Sequence, residues 1–169
     1  QEAPTSKSVR FKWREHVTKT VSENGEALEK FCNALKDGNS EVVEQSLNNY
    51  LKRTISIRDT FVKKQMKENF YHGILLGILG FQQNWSVSSN KESGDGYSDI
   101  LIETEDQETG IIIEIKYAET GNLEAVSKDA LKQIEDRRYE EQLLEEGVEH
   151  ILKYGIAFYK KKCKVMAVK

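Results

Sequence analysis

The spacing of apolar residues changes once along the chain, near residue 84. Before that point apolar positions recur every three or four residues, as in helices that bury one face. The pattern predicts a helical hairpin over residues 26–51, with Asn39-Ser40 capping its second helix, and a longer helix from Ile57 to Gly80. We expect Gly73 and Gly77, one turn apart, to let that longer helix approach the sheet closely.

Beyond residue 84 apolar and polar positions alternate in short runs, which is the pattern of strands. Strands are predicted at residues 85–90, 99–104, 110–118, 154–159 and 164–168. Turn residues at Gly94-Asp95-Gly96 and Glu108-Thr109-Gly110 join the first three strands into an antiparallel meander. A helix from Leu123 to Leu144, with a short continuation near Val148 to Leu152, separates the third strand from the last two. The predicted class is therefore α/β (α+β), with a helical hairpin in front.

Length and composition fit one compact, water-exposed unit. The chain has 169 residues, of which 38% are hydrophobic and 31% charged, and Pro4 is its only proline. We expect residues 1–55 to form a helical extension or connector and residues 56–169 to form the main domain. No run of roughly 18 apolar residues that could cross a membrane occurs, and the start lacks a secretory signal pattern, so we expect a cytoplasmic protein.

The net charge of −3 argues against a protein that coats nucleic acid through general electrostatic attraction. Any nucleic-acid site must therefore be local. Cys32 and Cys163 lie far apart without the spacing of a zinc site, and we expect both to be reduced and buried.

Two charged residues stand in the predicted strand at residues 110–118. Because side chains alternate along a strand, Glu114 and Lys116 share one face with Ile112. Central strands seldom carry two charges without a partner or a task, since burying an ion costs several kcal/mol unless it is paired or bound to metal. An ordinary ion pair between neighbouring strands would give the same pattern.

The acid that begins the preceding strand favours a functional interpretation. A short turn would place Asp99 beside Glu114, and two carboxylates so close form a hard oxygen site suited to Mg²⁺ or Mn²⁺. Lys116 would lie next to that metal. Such a group suits phosphodiester hydrolysis, in which the metal activates water and the ammonium offsets charge in the transition state.

Glu68 is a fourth candidate, because it lies on or beside the apolar face of the long predicted helix. It could be an auxiliary metal ligand or base, and a solvated glutamate at the margin of that face is the alternative. His72, one turn later, could support the site or serve only the structure.

These residues resemble a known family in their order along the chain. The resemblance rests on Glu68 to Gly77, Ser89 to Ile100, Ile111 to Lys116, Ala130 to Ile134 and Tyr154 to Phe158. They are similar to the bacterial branch of the PD-(D/E)XK nuclease superfamily whose domains usually follow an AAA-ATPase-like domain. The similarity extends from about Glu26 to Val168 and is strongest after Glu68.

The resemblance implies a restriction-endonuclease-like α-β-β-β-α-β core with a mixed sheet. It further implies that Asp99, Glu114, Lys116 and Glu68 are catalytic, that Asp99 and Glu114 hold the metal with Glu68 as an auxiliary ligand or base, and that Gln133 lies near the substrate. Two departures weaken the match. The turn that commonly reads Gly-Arg is Gly96-Tyr97 here, and Arg137 follows Gln133 at the spacing where relatives with a Gln-x-x-x-Tyr motif have tyrosine.

Three functions remain open at this stage. The leading hypothesis is a Mg²⁺- or Mn²⁺-dependent nuclease with DNA as its expected substrate. The alternative is an inactive nuclease fold that binds or regulates, attached to an ATPase-like partner domain, and a third is a purely structural appendage that docks such an ATPase. A homodimer is compatible with each of the three.

Overall fold

The computed structural model describes residues 25–54, 64–91, 97–137 and 139–169. This part of the chain forms five helices and five strands. The helices are α1 (Gly25–Asp37), α2 (Ser40–Thr54), α3 (Lys64–Leu79), α4 (Leu123–Asp136) and α5 (Tyr139–Glu145). The strands are β1 (Ser86–Lys91), β2 (Tyr97–Glu103), β3 (Thr109–Tyr117), β4 (His150–Tyr159) and β5 (Lys162–Val168). No helix in the described ranges is long and apolar enough to cross a membrane.

The five strands form one mixed sheet in the order β1-β2-β3-β4-β5. Neighbouring strands are antiparallel except β3 and β4, which run parallel. A parallel pair needs a long crossover, and α4 and α5 supply it. The structure confirms the predicted meander, the mixed sheet and the α-β-β-β-α-β order.

Each face of the sheet is covered by a different set of helices. The first face carries residues such as Ile113 and Ile156, and it packs against apolar side chains of α1, α2 and α3. The second face carries Leu101 and Ile112, and α4 and α5 cover it with Ile134 and other apolar residues. Because β3 is buried on both faces, its isoleucines form a continuous run rather than a strict alternation.

The helical hairpin is fastened to the sheet by specific polar contacts. Asn39 caps α2 as predicted, since its side chain accepts a hydrogen bond from the Val42 N–H at 3.2 Å. The Tyr154 hydroxyl on β4 donates to the Leu35 carbonyl at the end of α1 at 2.6 Å.

Cys32 and Cys163 are free and buried, as predicted. The start of the long helix at Ile57, the boundary between residues 55 and 56 and the Gly94-Asp95-Gly96 turn lie outside the described residues.

The prediction of one helix from Leu123 to Leu144 is wrong, because the chain leaves α4 at Asp136 and enters α5 at Tyr139. Ile134 and Leu143 both pack in the cluster on the second face. A straight helix would carry the second of them about 13 Å farther along its axis, at 1.5 Å per residue. The break lets both reach the same face. The predicted continuation near Val148 to Leu152 is also wrong, since β4 begins at His150.

Of the two glycines expected to let the long helix approach the sheet, Gly73 does not do so. Gly73 is exposed, and a Cβ added there would meet nothing within 4 Å. At Gly155 on β4 an added Cβ would lie 2.3 Å from the Ser127 carbonyl oxygen of α4. Ser127 also donates from its hydroxyl to the Gly155 carbonyl at 2.7 Å. Gly155 therefore lets α4 lie close over the second face.

Candidate active site

Asp99 and Glu114 are direct partners across β2 and β3, as the sequence suggested. Their Cα atoms are paired in the antiparallel register, which puts opposed Cβ atoms about 5 Å apart on one face. That face is the second one, because Glu114 alternates with Ile113 and shares the side of Ile112. Asp99 is 0% exposed and Glu114 is 1% exposed. The fold thus holds two carboxylates together inside the protein.

The pairing of β2 with β3 ends at Asp99 and Glu114, and we call this end of the two strands the fork. β2 begins at Tyr97, but its pairing with β3 runs only from Asp99↔Glu114 to Glu103↔Gly110. Lys116 lies past the last pair, about 7 Å along β3 from Glu114 on the same face, and its side chain is half-buried. In the described ranges Lys116 has no carboxylate partner within 4 Å. Its charge is therefore available to an anion at the fork.

Helix α3 packs against both β2 and β3 and contacts each of them close to the fork. Oε1 of Glu68 accepts a hydrogen bond from the Tyr117 N–H on β3 at 3.0 Å. His72, one turn later, hydrogen-bonds to the backbone of Asp99 on β2. Burial lowers the pKa of His72, and the contact with Asp99 partly opposes that shift. Glu68 and His72 therefore position the two strands, while the half-buried Glu68 carboxylate lies one residue from Lys116.

Arg137 and Tyr139 join the site from the break between α4 and α5. Nη1 of Arg137 lies 3.3 Å from Oδ2 of Asp99, with the Arg137 side chain 30% exposed. The Tyr139 hydroxyl also hydrogen-bonds to the Asp99 side chain. Burial, and after it this hydrogen bond, raise the pKa of Tyr139. The sequence analysis treated Arg137 as a departure from the Gln-x-x-x-Tyr motif, and it assigned neither Arg137 nor Tyr139 to the site.

Gln133 lies on the same helix as Arg137, four positions earlier, and is half-buried. Residues four apart share one side of a helix. This i, i+4 relation was the available sequence signal for Arg137, because it extends the row that starts at Gln133 towards the site. The Gly96 position, where relatives commonly continue with arginine, lies outside the described residues.

Glu114 differs from Asp99, the other buried acid, because neither of its carboxylate oxygens has a hydrogen-bond partner among the residues that the structure describes. A buried carboxylate normally accepts several hydrogen bonds or lies beside a cation, since its desolvation costs several kcal/mol otherwise. With Asp99 opposite, the pair offers up to four hard oxygen atoms, and such donors suit Mg²⁺ or Mn²⁺. No group of three or more His, Cys, Asp or Glu residues suited to a metal ion occurs among the described residues. The two-acid pair, without Glu68, is what the geometry provides.

Comparison with known proteins gives one family. The model of the PD-(D/E)XK nuclease superfamily matches residues 66–168, which include all but the first two residues of α3, the whole sheet and both crossover helices. No curated protein and no solved structure gives a significant match. The matched region contains every residue of the site just described.

Proposed function

Because the chain belongs to the PD-(D/E)XK nuclease superfamily, we propose that it is a Mg²⁺- or Mn²⁺-dependent phosphodiester hydrolase that cuts nucleic acid, with DNA as the expected substrate. Nucleases of this superfamily typically use divalent metals. The observation that carries the proposal is the buried Glu114 carboxylate, which lies opposite Asp99 and accepts no hydrogen bond from any residue that the structure describes. A divalent cation would satisfy both acids at once.

The residues around the pair divide the chemistry between them. Asp99 and Glu114 would hold the metal, which when bound supplies positive charge beside the scissile phosphate and acidifies the attacking water. Lys116 orients that water or offsets the negative charge that develops on the phosphoryl oxygens. Glu68 holds the Tyr117 backbone, and through it the end of β3, so that Lys116 stays aimed at the fork.

Two basic side chains near the end of β3 support a nucleic-acid substrate. Lys67 lies over the Tyr117 ring, 4.5 Å from its centroid, and Lys160 lies over the Tyr159 ring at 5.1 Å. The two tyrosine rings are 6.0 Å apart. The Tyr117 ring is buried in the core, so Lys67 and Lys160 are the groups here that could meet phosphates. They give an acidic protein the local positive surface that a nucleic-acid substrate needs.

The decisive experiment is cleavage of plasmid DNA, linear DNA and RNA with Mg²⁺, Mn²⁺ or EDTA. We expect cleavage with a metal, none in EDTA, and loss of cleavage in Glu114→Gln. Asp106→Asn, on the same pair of strands but at their connecting turn, is the matched control and should cleave normally. Metal-independent cleavage, or full activity in Glu114→Gln, would refute the proposal.

One observation favours the alternative of an inactive binding module. The Arg137 guanidinium already lies beside Asp99, so this acid has a positive partner without any metal. In that case the wild type would cut no substrate under any metal condition, yet it would still bind nucleic acid. Binding without cleavage in the same experiment would therefore establish the alternative.

A further inference from the structure

The Arg137 guanidinium lies beside Asp99, one of the two acids that would hold the metal in the proposed site. Asp99 is fully buried, and the Arg137 guanidinium reaches it at 3.3 Å from the end of α4. The Glu114 carboxylate, on the neighbouring strand, accepts no hydrogen bond within the described ranges. Arg137 therefore neutralises one acid of the pair and leaves the other unsatisfied.

A metal bound to both acids would change the role of Arg137. Two positive charges beside one carboxylate repel each other, so a metal on Asp99 weakens the pair between Asp99 and Arg137. The Arg137 side chain is 30% exposed, and the residue caps the end of α4 rather than lying within it. Turning away from Asp99 would require it also to give up its hydrogen bond with Tyr139. A planar guanidinium binds phosphate oxygens in a bidentate manner.

We propose that Arg137 is a phosphate-binding residue of the site that Asp99 holds in the metal-free protein and that metal binding releases to the substrate. The inference rests on the proposed function, since it requires the metal to bind Asp99 and Glu114. It also gives the break between α4 and α5 a function, because the break makes Arg137 the C-cap residue of α4 and leaves its side chain at the site.

The test uses Arg137→Gln in the full chain, with two measurements that must move in opposite directions. Mn²⁺ binding, measured by titration calorimetry, should become about 10-fold tighter, because the competitor for Asp99 is gone. Binding of a duplex DNA oligonucleotide, measured with Mn²⁺ in the Lys116→Met background to prevent turnover, should weaken about 10-fold, because a charged contact to phosphate is lost. A merely structural role would not produce opposite shifts.

Lys153→Gln is the matched control, because Lys153 forms a comparable ion pair with Glu140 at 2.6 Å but makes none with Asp99. It should leave both affinities unchanged. Arg137→Lys, which keeps the charge, should bind Mn²⁺ as the wild type does and provides the test if Arg137→Gln does not fold. Unchanged or weaker Mn²⁺ binding in Arg137→Gln, or unchanged DNA binding, overturns the inference. If no protein binds Mn²⁺ at all, the proposed function fails and takes this inference with it.

Discussion

The two ends of the β2–β3 hairpin carry similar residues in opposite situations. At the turn end, residues 104–109, the carboxylates of Glu105 and Asp106 are exposed to solvent yet richly bonded. Glu105 contacts Lys36 at 2.6 Å and accepts from Trp85 Nε1 at 2.5 Å. At the site end, the carboxylate of Glu114 is buried and has no hydrogen-bond partner in the described part of the chain. Polar groups are satisfied where they serve the fold.

At the turn end, the Asp106 carboxylate has a structural role and is fully hydrogen-bonded. Oδ1 of Asp106 accepts from the Thr104 hydroxyl at 2.7 Å and from the N–H groups of Glu108 and Thr109 at 2.9 and 3.0 Å. Lys36, from α1, adds an ion pair to Asp106 at 3.2 Å. Such a network stabilises a turn without metal. Its absence around Glu114 is best explained by a ligand that completes the site.

The largest expected effect is on the cleavage rate and is confined to the site end. Lys116→Met keeps the length of the side chain and removes its charge, so cleavage should fall by about 100-fold or more, which corresponds to about 3 kcal/mol. Mn²⁺ affinity should hold or improve, because a cation does not ligate the metal. Cleavage kinetics and titration calorimetry measure the two effects separately.

The control for that variant comes from the turn end. Lys36→Met also removes a lysine charge, but it breaks the ion pairs with Glu105 and Asp106. Its melting temperature should fall while its cleavage rate stays at the wild-type value. Equal cleavage rates in Lys116→Met and the wild type would make Lys116 a structural residue and refute its assigned role.

In EDTA, neutralising Glu114 and neutralising Asp106 should change the free energy of unfolding in opposite directions. Glu114→Gln replaces a buried, unbonded carboxylate by a neutral amide of the same shape, so the free energy of unfolding should rise by about 1–2 kcal/mol. Asp106→Asn weakens a satisfied network and should lower it. Urea denaturation of both variants measures the difference. With Mn²⁺ present, the wild type should gain stability that Glu114→Gln does not. A loss of stability for Glu114→Gln in EDTA would contradict the comparison.

Local pattern was sufficient to predict most of the fold. The alternation in β3 placed Glu114 and Lys116 on one face, and the short turn brought Asp99 opposite, because strand period and hairpin register are set by nearby residues. The parallel β3–β4 pair followed from the resemblance rather than from periodicity.

What the sequence did not yield depends on packing between distant elements. The helix break before Tyr139 arises because Ile134 and Leu143 must reach the same sheet face, and no residue in the break is proline or glycine. The contact of Arg137 with Asp99 follows from that break. The place of Gly155 under α4 depends on the crossover geometry. The metal-ligand and substrate roles assigned to Asp99, Glu114, Glu68 and Gln133 stay predictions.

A smaller effect is expected at Glu68, which lies between the two situations because it is half-buried and bonded once. Glu68→Gln keeps an oxygen that can accept from the Tyr117 N–H, so its unfolding free energy should change by about 0.5 kcal/mol or less, whereas Glu68→Ala should lose about 1 kcal/mol. Glu68→Ala should lower turnover, because the end of β3 carries Lys116, whereas Glu68→Gln should lower turnover or Mn²⁺ affinity only if the Glu68 charge itself acts on the metal or the water. Full activity and unchanged Mn²⁺ affinity in both variants would remove Glu68 from the site.

The smallest effect concerns pH at the turn end. The Thr104 hydroxyl, and then the Glu108 N–H, hold the pKa of Asp106 well below its ordinary value of 3.8. A carboxyl whose pKa is lowered by folding stabilises the protein above its unfolded-state pKa, and this contribution is lost as pH falls towards the folded-state value. The stability difference between the wild type and Asp106→Asn should therefore be constant from pH 7 to about pH 5 and shrink below about pH 4. Urea midpoints at pH 7, 5 and 3 measure it, with Lys128→Met, which breaks an exposed helix ion pair with Glu124, as the control. A difference that grows as pH falls would show that the hydrogen bonds at Asp106 do not favour its ionised form, and the contrast with Glu114 would lose its basis.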